Sequence, residues 1–575
     1  MIRFRRLFDL VTDADRRQLG EVQAIFRRAF PFESEIADTL DRHLTQKTKR
    51  DFEPIILIAE DTRNRIFGFT VTFFFPDIRF AYLQYIASDP ERSARGIGGA
   101  LYEATREFLV GKGCRGMFLE VPPDEEAKLK DKTLIAVNRK RMRFYERYGA
   151  LPVQGTLFDV LPNKANEDYL TMLLYDPLGR KGVLHRHEAR RAVEQIFRAQ
   201  YGLMPRSAYV RRILDSFRDD PVRLRLPRQS SAERLVPEKG RWLRPIKIVV
   251  TDGHHIHHLR EKGYVERPVR VRAVLRGLES VPVGHHPIRH FGEDHIRAVH
   301  DRHLVDYLAA VCARLGPNQL VYPEVFPIRR PDKRPKELES RAGYFCADTF
   351  TPLTHNAYRV ARTAVDCALT AADLLLQGER IAYALCRPPG HHAERAVFGG
   401  FCYFNNAAIA AHRLSAHGRV ALLDIDYHHG NGSQDIFYRR SDVLVSSIHG
   451  HPNRSYPHFS GFADERGEGE GLGYNHNYPL KAGIDDAAYL DVLEAALRPI
   501  RRFKPTWLVL SLGFDIMKGD PTGSFVVSSR GMRQIAEQIG RLGVPTLVVQ
   551  EGGYSALNLR QGAGAFFAGI AHTWY

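Results

Sequence analysis

Short apolar runs and amphipathic stretches alternate along residues 1–178. The runs at 55–60, 67–75, 117–121 and 169–175 have the length and the β-branched or aromatic content of strands, while 97–113 and 137–148 carry helical spacing. This order predicts a mixed α/β domain. Residues 179–245 read differently. Ala189, Val193, Ile196, Phe197 and Gln200 recur at helical spacing, and Val210, Ile213, Leu214 and Phe217 predict a second amphipathic helix. The four prolines from Pro221 to Pro245 predict an extended linker. From residue 246 onward, apolar strands at 246–250, 381–385, 419–424, 443–448, 506–512 and 545–550 are separated by helical patterns. Strand–helix alternation of this kind predicts a parallel α/β sheet.

Length agrees with this division. At roughly 100–200 residues per domain, 575 residues make three or so units, read here as 1–178, 179–245 and 246–575. Apolar residues at 44% and charged residues at 26% exclude a disordered, collagen-like or coiled-coil chain. The net charge of +16 comes mostly from 180–247, with 18 basic against 7 acidic residues. Without a nucleic-acid fold signature this stretch reads as a basic helical connector packed on one domain, and no nucleic-acid partner is expected. The apolar runs fall short of the roughly 20 residues that span a bilayer, so no membrane partner is expected. Asp9, Asp13 and Asp15 interrupt any apolar leader core, and six scattered cysteines without a Cys-x-x-Cys pattern suit a reducing compartment. A cytoplasmic protein is expected.

Two groups of motifs carry chemistry. In the first domain, Ser93-Ala-Arg95-Gly96-Ile97-Gly98-Gly99 follows a strand and opens a helix. Backbone N–H groups at such a turn can cradle a pyrophosphate. Some 40 residues later Asn138, Phe144 and Tyr145 lie on a second helix. Together these residues resemble the GNAT family of N-acetyltransferases over 1–178. The resemblance implies that Arg95, Gly96, Ile97, Gly98 and Gly99 hold acetyl-CoA and that Tyr145 protonates the departing thiolate. Ser93 stands where the family usually has Arg or Gln, a departure that leaves the backbone cradle intact. Glu120, at a strand end, is a candidate base. Acetyl transfer, acetyl-CoA sensing and a scaffold role all remain open for this domain.

In the last domain four constellations lie at or just beyond strand ends: Arg387-Pro-Pro-Gly-His391-His392, Asp424-Ile-Asp426-Tyr-His428-His429-Gly-Asn431, Ser511-Leu-Gly-Phe-Asp515 and Glu551-Gly-Gly-Tyr554. Ligands of a parallel sheet gather at the carboxyl ends of its strands. Asp426 and His428, at i and i+2, point the same way on extended backbone. With Asp515 they supply three ligands and leave a position open, the catalytic zinc pattern. These motifs resemble the histone deacetylase / acetylpolyamine amidohydrolase family, with an arginase–deacetylase fold and a central parallel sheet over 246–575.

That resemblance implies Zn²⁺ on Asp426, His428 and Asp515. It makes His391 and His392 the proton-handling pair, with Asp424 supporting His391 and Asn431 beside His392, where some members carry Asp. Tyr554 would donate to the oxyanion, and the carbonyl of Gly400 would accept from the substrate amide. Phe401 and Tyr456 would line a tunnel. Asp424, Asp426, His428 and Ser447 match a structural K⁺ site. Flanking text such as Asp348-Thr-x-Thr-Pro-Leu and Asp520-Pro521 leans to the polyamine branch, whose members often pair, so a homodimer is an open expectation. Thr522 replaces the acidic gatekeeper of some polyamine deacetylases, and Glu324, Glu337 or Glu339 could substitute for it. His254, His255, His257 and His258 read as entrance-loop residues. The expected activity is zinc-dependent hydrolysis of an acetylpolyamine or acetyl-lysine amide, alongside an acetyltransferase. The alternatives are a deacetylase with an acetyl-CoA-sensing domain, and an inactive binding module.

Overall fold

The computed structural model describes residues 2–574 except 9, 11, 46–50, 62–64, 92–96, 127–128, 130–131, 159–170, 181, 227–244, 252, 258, 260–263 and 318. The chain forms two compact units, residues 1–234 with 261–264, and 235–260 with 265–575.

The first unit is built on a seven-stranded sheet. Its strands are β1 (Ile2–Leu7), β2 (Glu53–Asp61), β3 (Ile66–Phe75), β4 (Phe80–Ser88), β5 (Gly116–Val121), β6 (Leu151–Pro152) and β7 (Met172–Asp176), in the order β1-β2-β3-β4-β5-β7-β6. All neighbours are antiparallel except β4 and β5. Between those two strands the chain passes through α2 (Ile97–Gly111). Helix α1 (Asp13–Ala29) starts at a capping box between Thr12 and Asp15 and buries Leu19, Val22, Ile25 and Phe26 on one stripe. On the opposite face of the sheet, Tyr102 of α2 and Met142 and Tyr145 of α3 (Ile135–Arg147) form a second core.

The two helices expected between residues 186 and 217 are present as α4 (Arg186–Tyr201) and α5 (Ala208–Ser216). A capping box of His185 and Glu188 opens α4, and Gly202, at φ +61°, closes it in the left-handed conformation. Their apolar stripes share one core with α1 and the sheet: Val193, Ile196, Phe197, Val210 and Ile213 join Val22 and Phe69. These helices are therefore a layer of the first unit. The chain stays attached past Pro221. Leu224 bridges to Val153, and Arg225 grips Asp124 through two hydrogen bonds of 2.7 and 2.9 Å. The rest of the proline-rich run, 227–244, lies outside the described residues.

The second unit carries an eight-stranded sheet in the order β15-β14-β13-β16-β17-β12-β8-β9. Its strands are β8 (Ile246–Val250), β9 (Val283–His285), β12 (Ile381–Leu385), β13 (Val420–Asp424), β14 (Val443–Gly450), β15 (Asn475–Leu480), β16 (Trp507–Leu512) and β17 (Thr546–Gln550). A two-stranded ribbon, β10 (Leu320–Val321) and β11 (Leu353–Thr354), stands apart from it. Every pairing in the large sheet is parallel. One face packs under α7 (Arg302–Arg314), α8 (Ala357–Leu376) and α9 (Asn406–Ser415). The other packs under α6 (Val269–Gly277), α10 (Asp486–Phe503), α11 (Ser529–Gly540) and α12 (Ala556–Trp574). Strands covered on both sides read as continuous apolar runs, and β12, β13 and β17 are buried throughout. The edge strands β9 and β15 carry no such run, and the sequence reading missed them. Among the described residues no helix is long and apolar enough to cross a membrane.

Candidate active site

Four adjacent central strands, β13, β16, β17 and β12, bring the four motifs together. Register places Asp424 beside Ser511 and Leu512 beside Gln550, so the loops that leave these strands emerge at one edge. Asp426, His428 and Asp515 meet there with one ligand atom from each within 4.8 Å of the others. The Nδ1 of His428 stands 3.3 Å from Asp426 Oδ1 and 3.2 Å from Asp515 Oδ2. Backbone N–H groups hold the carboxylates: Gly552 donates to Asp426 Oδ2 at 2.7 Å and Tyr427 to Asp515 Oδ1 at 3.0 Å.

A Cβ on Gly552 would collide with both carboxylates, and one on Gly513 with Asp426. The cradle is thus shaped around the two acids. Burial pushes Asp515 up to about 7. Burial would raise Asp426 too, but the imidazoles of His391 and His428 hold it well below the usual carboxylate range. His428 is pushed up to about 9, because its two carboxylate partners outweigh burial. Two buried carboxylates and one imidazole, unbalanced in charge and converging, fit a divalent cation.

His391 and His392 lie beside this cluster. Glu551 Oε2 accepts from the N–H groups of Gly390 and His391 at 2.7 and 3.1 Å and fixes the turn that carries them. His391 Nδ1 pairs with Asp424 Oδ2 at 3.0 Å, and His392 Nδ1 with Asn431 Oδ1 at 2.7 Å. Tyr554 is buried, with its N–H donating to Asp520 Oδ2 at 2.7 Å. The guanidinium of Arg270 lies 4.8 Å from the centre of the Tyr554 ring, and its Nε donates to Gly553 O at 2.7 Å. Burial raises the Tyr554 hydroxyl well above its ordinary range, so it stays a donor.

Gly400 and Phe401 sit at φ +58° and +67°, and a Cβ on Gly400 would run into the His392 ring. The Tyr456 ring packs edge-on to His392 at 4.8 Å, and the Phe401 ring lies 5.9 Å from that of Tyr554. The expected K⁺ residues Asp424 and Ser447 are register neighbours on β13 and β14.

Several site residues escaped the sequence reading. Asp348 Oδ2 accepts from Gly400 N at 2.6 Å and Tyr456 Oη at 3.1 Å, tying Gly400 and Tyr456 to one carboxylate. Phe350 joins Phe401 and Tyr456 at 5.8 and 5.7 Å. Asp348 and Asp520 stood inside quoted motifs without a role, whereas Arg270 left no local signal. Thr522 donates N–H and hydroxyl to Asp520 Oδ1. Glu337 and Glu339 both lie against Arg314, and Glu324 is exposed. Arg387 holds the entrance histidines through the carbonyls of His254 and His257, and His258 lies outside the described residues. Among the described residues only the Asp426–His428–Asp515 group gathers as metal ligands.

In the first unit Arg95 and Gly96 lie outside the described residues, while Ile97, Gly98 and Gly99 open α2. A Cβ on Gly99 would press on Tyr148 Oη at 2.7 Å, so α2 approaches the end of α3 closely. Tyr145 is buried edge-on against Tyr102 at 5.3 Å, and burial pushes its hydroxyl up to about 12. Glu120 accepts from Tyr82, Thr171 and Tyr201 at 3.0, 2.8 and 2.7 Å, and burial raises its carboxyl. Tyr201 belongs to α4, a connection that sequence could not give.

This architecture is that of the arginase–deacetylase fold. The histone deacetylase domain family matches residues 264–570, and the acetyltransferase (GNAT) family matches residues 19–150. The chain belongs to the histone deacetylase family and carries a GNAT acetyltransferase domain ahead of it. It is 41% identical over 335 residues to acetylpolyamine amidohydrolase 2 of Pseudomonas aeruginosa, covering 55% of this chain and 97% of that protein. It is 43% identical over 328 residues to acetylpolyamine amidohydrolase of Burkholderia pseudomallei, covering 55% and 95%. A crystal structure of acetylpolyamine aminohydrolase from Burkholderia pseudomallei superposes with a TM-score of 0.54 at 39% identity, covering 56% of this chain and 98% of that one.

Proposed function

We propose that the second unit hydrolyses the N-acetyl amide of a small amine, with Zn²⁺ held by Asp426, His428 and Asp515, and that the first unit transfers acetyl groups from acetyl-CoA. The observation that carries the hydrolase reading is the convergence of these three ligands with a histidine pair whose partners differ in charge. The bound cation would polarise the acetamide carbonyl and lower the pKa of water.

The chain's own residues supply the rest. His392 donates Nδ1–H to Asn431 Oδ1, which leaves its Nε2 lone pair to take the proton of the attacking water. Burial, with the charge of His391 beside it, holds its pKa well below the ordinary value, so it is neutral before reaction. His391 is pushed up to about 10, because Asp426 and Asp424 outweigh burial, and it remains the charged member. As a C–O bond forms from water, Tyr554 Oη donates to the developing oxyanion. The C–N bond then breaks, and His392 Nε2 returns its proton to the amine. The products are acetate and a free primary amine. Gly400 O, at the tunnel of Phe401 and Tyr456, orients the amide N–H.

The names of the relatives favour acetylpolyamines over acetyl-lysine proteins, and Phe350, Phe401 and Tyr456 would line the substrate tunnel. A structural K⁺ at Asp424, Asp426, His428 and Ser447, a paired assembly and a cytoplasmic location complete the reading. The six free, buried cysteines suit that compartment. In the first unit Tyr145 protonates the CoA thiolate, with residues 95–99 holding acetyl-CoA. The test is acetate release by the zinc-loaded protein from N-acetylputrescine against an acetyl-lysine peptide. Faster turnover of the small amide is expected, and release from neither substrate would overturn the reading.

A further inference from the structure

The partner of His392 is an amide, and an amide has two unlike ends. A carboxylate at position 431 could accept from Nδ1–H whichever way it turned. Asn431 must turn its Oδ1 toward the ring. Reversed, it would present Nδ2–H₂ to Nδ1, force that nitrogen to accept, and place the proton on Nε2, where no base would remain. Something has to select the orientation.

Glu394 occupies the selecting position, with a longer contact of 3.4 Å from Asn431 Nδ2 to the His392 carbonyl beside it. Its Oε1 lies 2.7 Å from Asn431 Nδ2, while Asn431 Oδ1 lies 2.7 Å from His392 Nδ1. A carboxylate only accepts, so it draws the N–H end of the amide and turns the oxygen to the imidazole. Glu394 is itself clamped. Its N–H donates to Val397 O at 2.8 Å, and its carbonyl lies 2.8 Å from His300 Nδ1. His300 is fixed in turn, because its Nε2 accepts from Asn405 N at 2.9 Å, which leaves Nδ1 as the donor. Burial pushes the Glu394 carboxyl up to about 7, while the Asn431 N–H favours its ionised, accepting form; both residues line a cavity of about 530 Å³.

We propose that Glu394 is a positioning residue for amide hydrolysis, fixing the orientation of Asn431 and through it the Nδ1–H tautomer of His392. The proposal rests on the hydrolase reading above, and it gives a function to a residue that touches neither substrate nor ligand set.

The test is a cycle with N-acetylputrescine as substrate and the zinc-loaded full chain. Glu394→Ala should lower kcat on the order of tenfold, the scale seen when a partner behind an active-site imidazole is removed, with KM and zinc content within about twofold. In an Asn431→Asp background the same change should cost less than about threefold, because a carboxylate needs no orienting. A kcat within about twofold of wild type for Glu394→Ala, or an equal loss in both backgrounds, would overturn the proposal.

Should Glu394→Ala not fold, Glu394→Gln keeps the volume but can donate as well as accept. Long-range ¹H–¹⁵N spectra of histidine-labelled protein, with His392 assigned through His392→Gln, then read the tautomer directly. Nδ1–H is expected in wild type and a mixture in Glu394→Gln. An Nε2–H tautomer in wild type, or no change in the variant, would overturn the proposal. Failure of wild-type protein to release acetate would instead overturn the hydrolase reading, and the spectra would still decide this proposal.

Discussion

His391 and His392 are neighbours in sequence with ring centres 4.0 Å apart, yet the first is bound to the carboxylate of Asp424 and the second to the amide of Asn431. One fold edge thus prepares a charged and a neutral imidazole side by side. The charge of the first also helps to keep the second neutral.

Tyr554→Phe removes the hydroxyl proposed to donate to the developing oxyanion and leaves the ring packed under Arg270. Loss of one such donor costs about 10²–10³ in kcat. Steady-state kinetics should show a kcat reduced about 100-fold or more, KM changed little, and zinc content unchanged.

Asp515→Ala removes one of the three proposed zinc ligands and leaves His428 with a single carboxylate partner. Metal analysis should find zinc lost from the variant, and acetate release lost with it. A chelator should abolish acetate release by wild type, and added Zn²⁺ should restore it there but not in the variant.

Acid should destabilise the protein through buried neutral histidines. His300 is 1% exposed, and burial lowers its pKa to about 4. The unfolded chain takes up this proton near its ordinary value of about 6.5. Stability from this group is therefore complete above about pH 6.5 and falls as pH drops from there toward 4. At pH 5 the loss is about 2 kcal/mol. Urea unfolding at pH 7 and pH 5 should show a difference smaller by about that amount in His300→Gln than in wild type.

Tyr145→Phe keeps the packing against Tyr102 and Phe144 and removes only the oxygen. Transfer from labelled acetyl-CoA to an amine should fall at least tenfold while acetyl-CoA binding, read by calorimetry, stays within about twofold. Wild-type protein that binds acetyl-CoA without transferring it would instead mark the first unit as a sensor.

The sequence by itself determined the two α/β folds, the two helices after residue 185 and the four strand-end motifs. Strands such as β12, β13 and β17, buried on both faces, must be apolar throughout, and that pattern is local. Where other needs broke the pattern, reading failed. β1 carries arginines that pair across the sheet, Arg5 with Glu60 at 3.1 Å and Arg6 with Glu53 at 2.9 Å, and so shows no apolar run. Edge strands β9 and β15 need only part of their surface buried.

Tertiary structure alone decided that α4 and α5 belong to the first unit, since their stripes find their core on a distant sheet. It gave roles to Asp348, Asp520, Arg270 and Glu394. Each of these side chains acts on a group 34 or more residues away in sequence. Hydrogen bonds between such partners depend on strand order and loop path. No spacing rule along the chain records those.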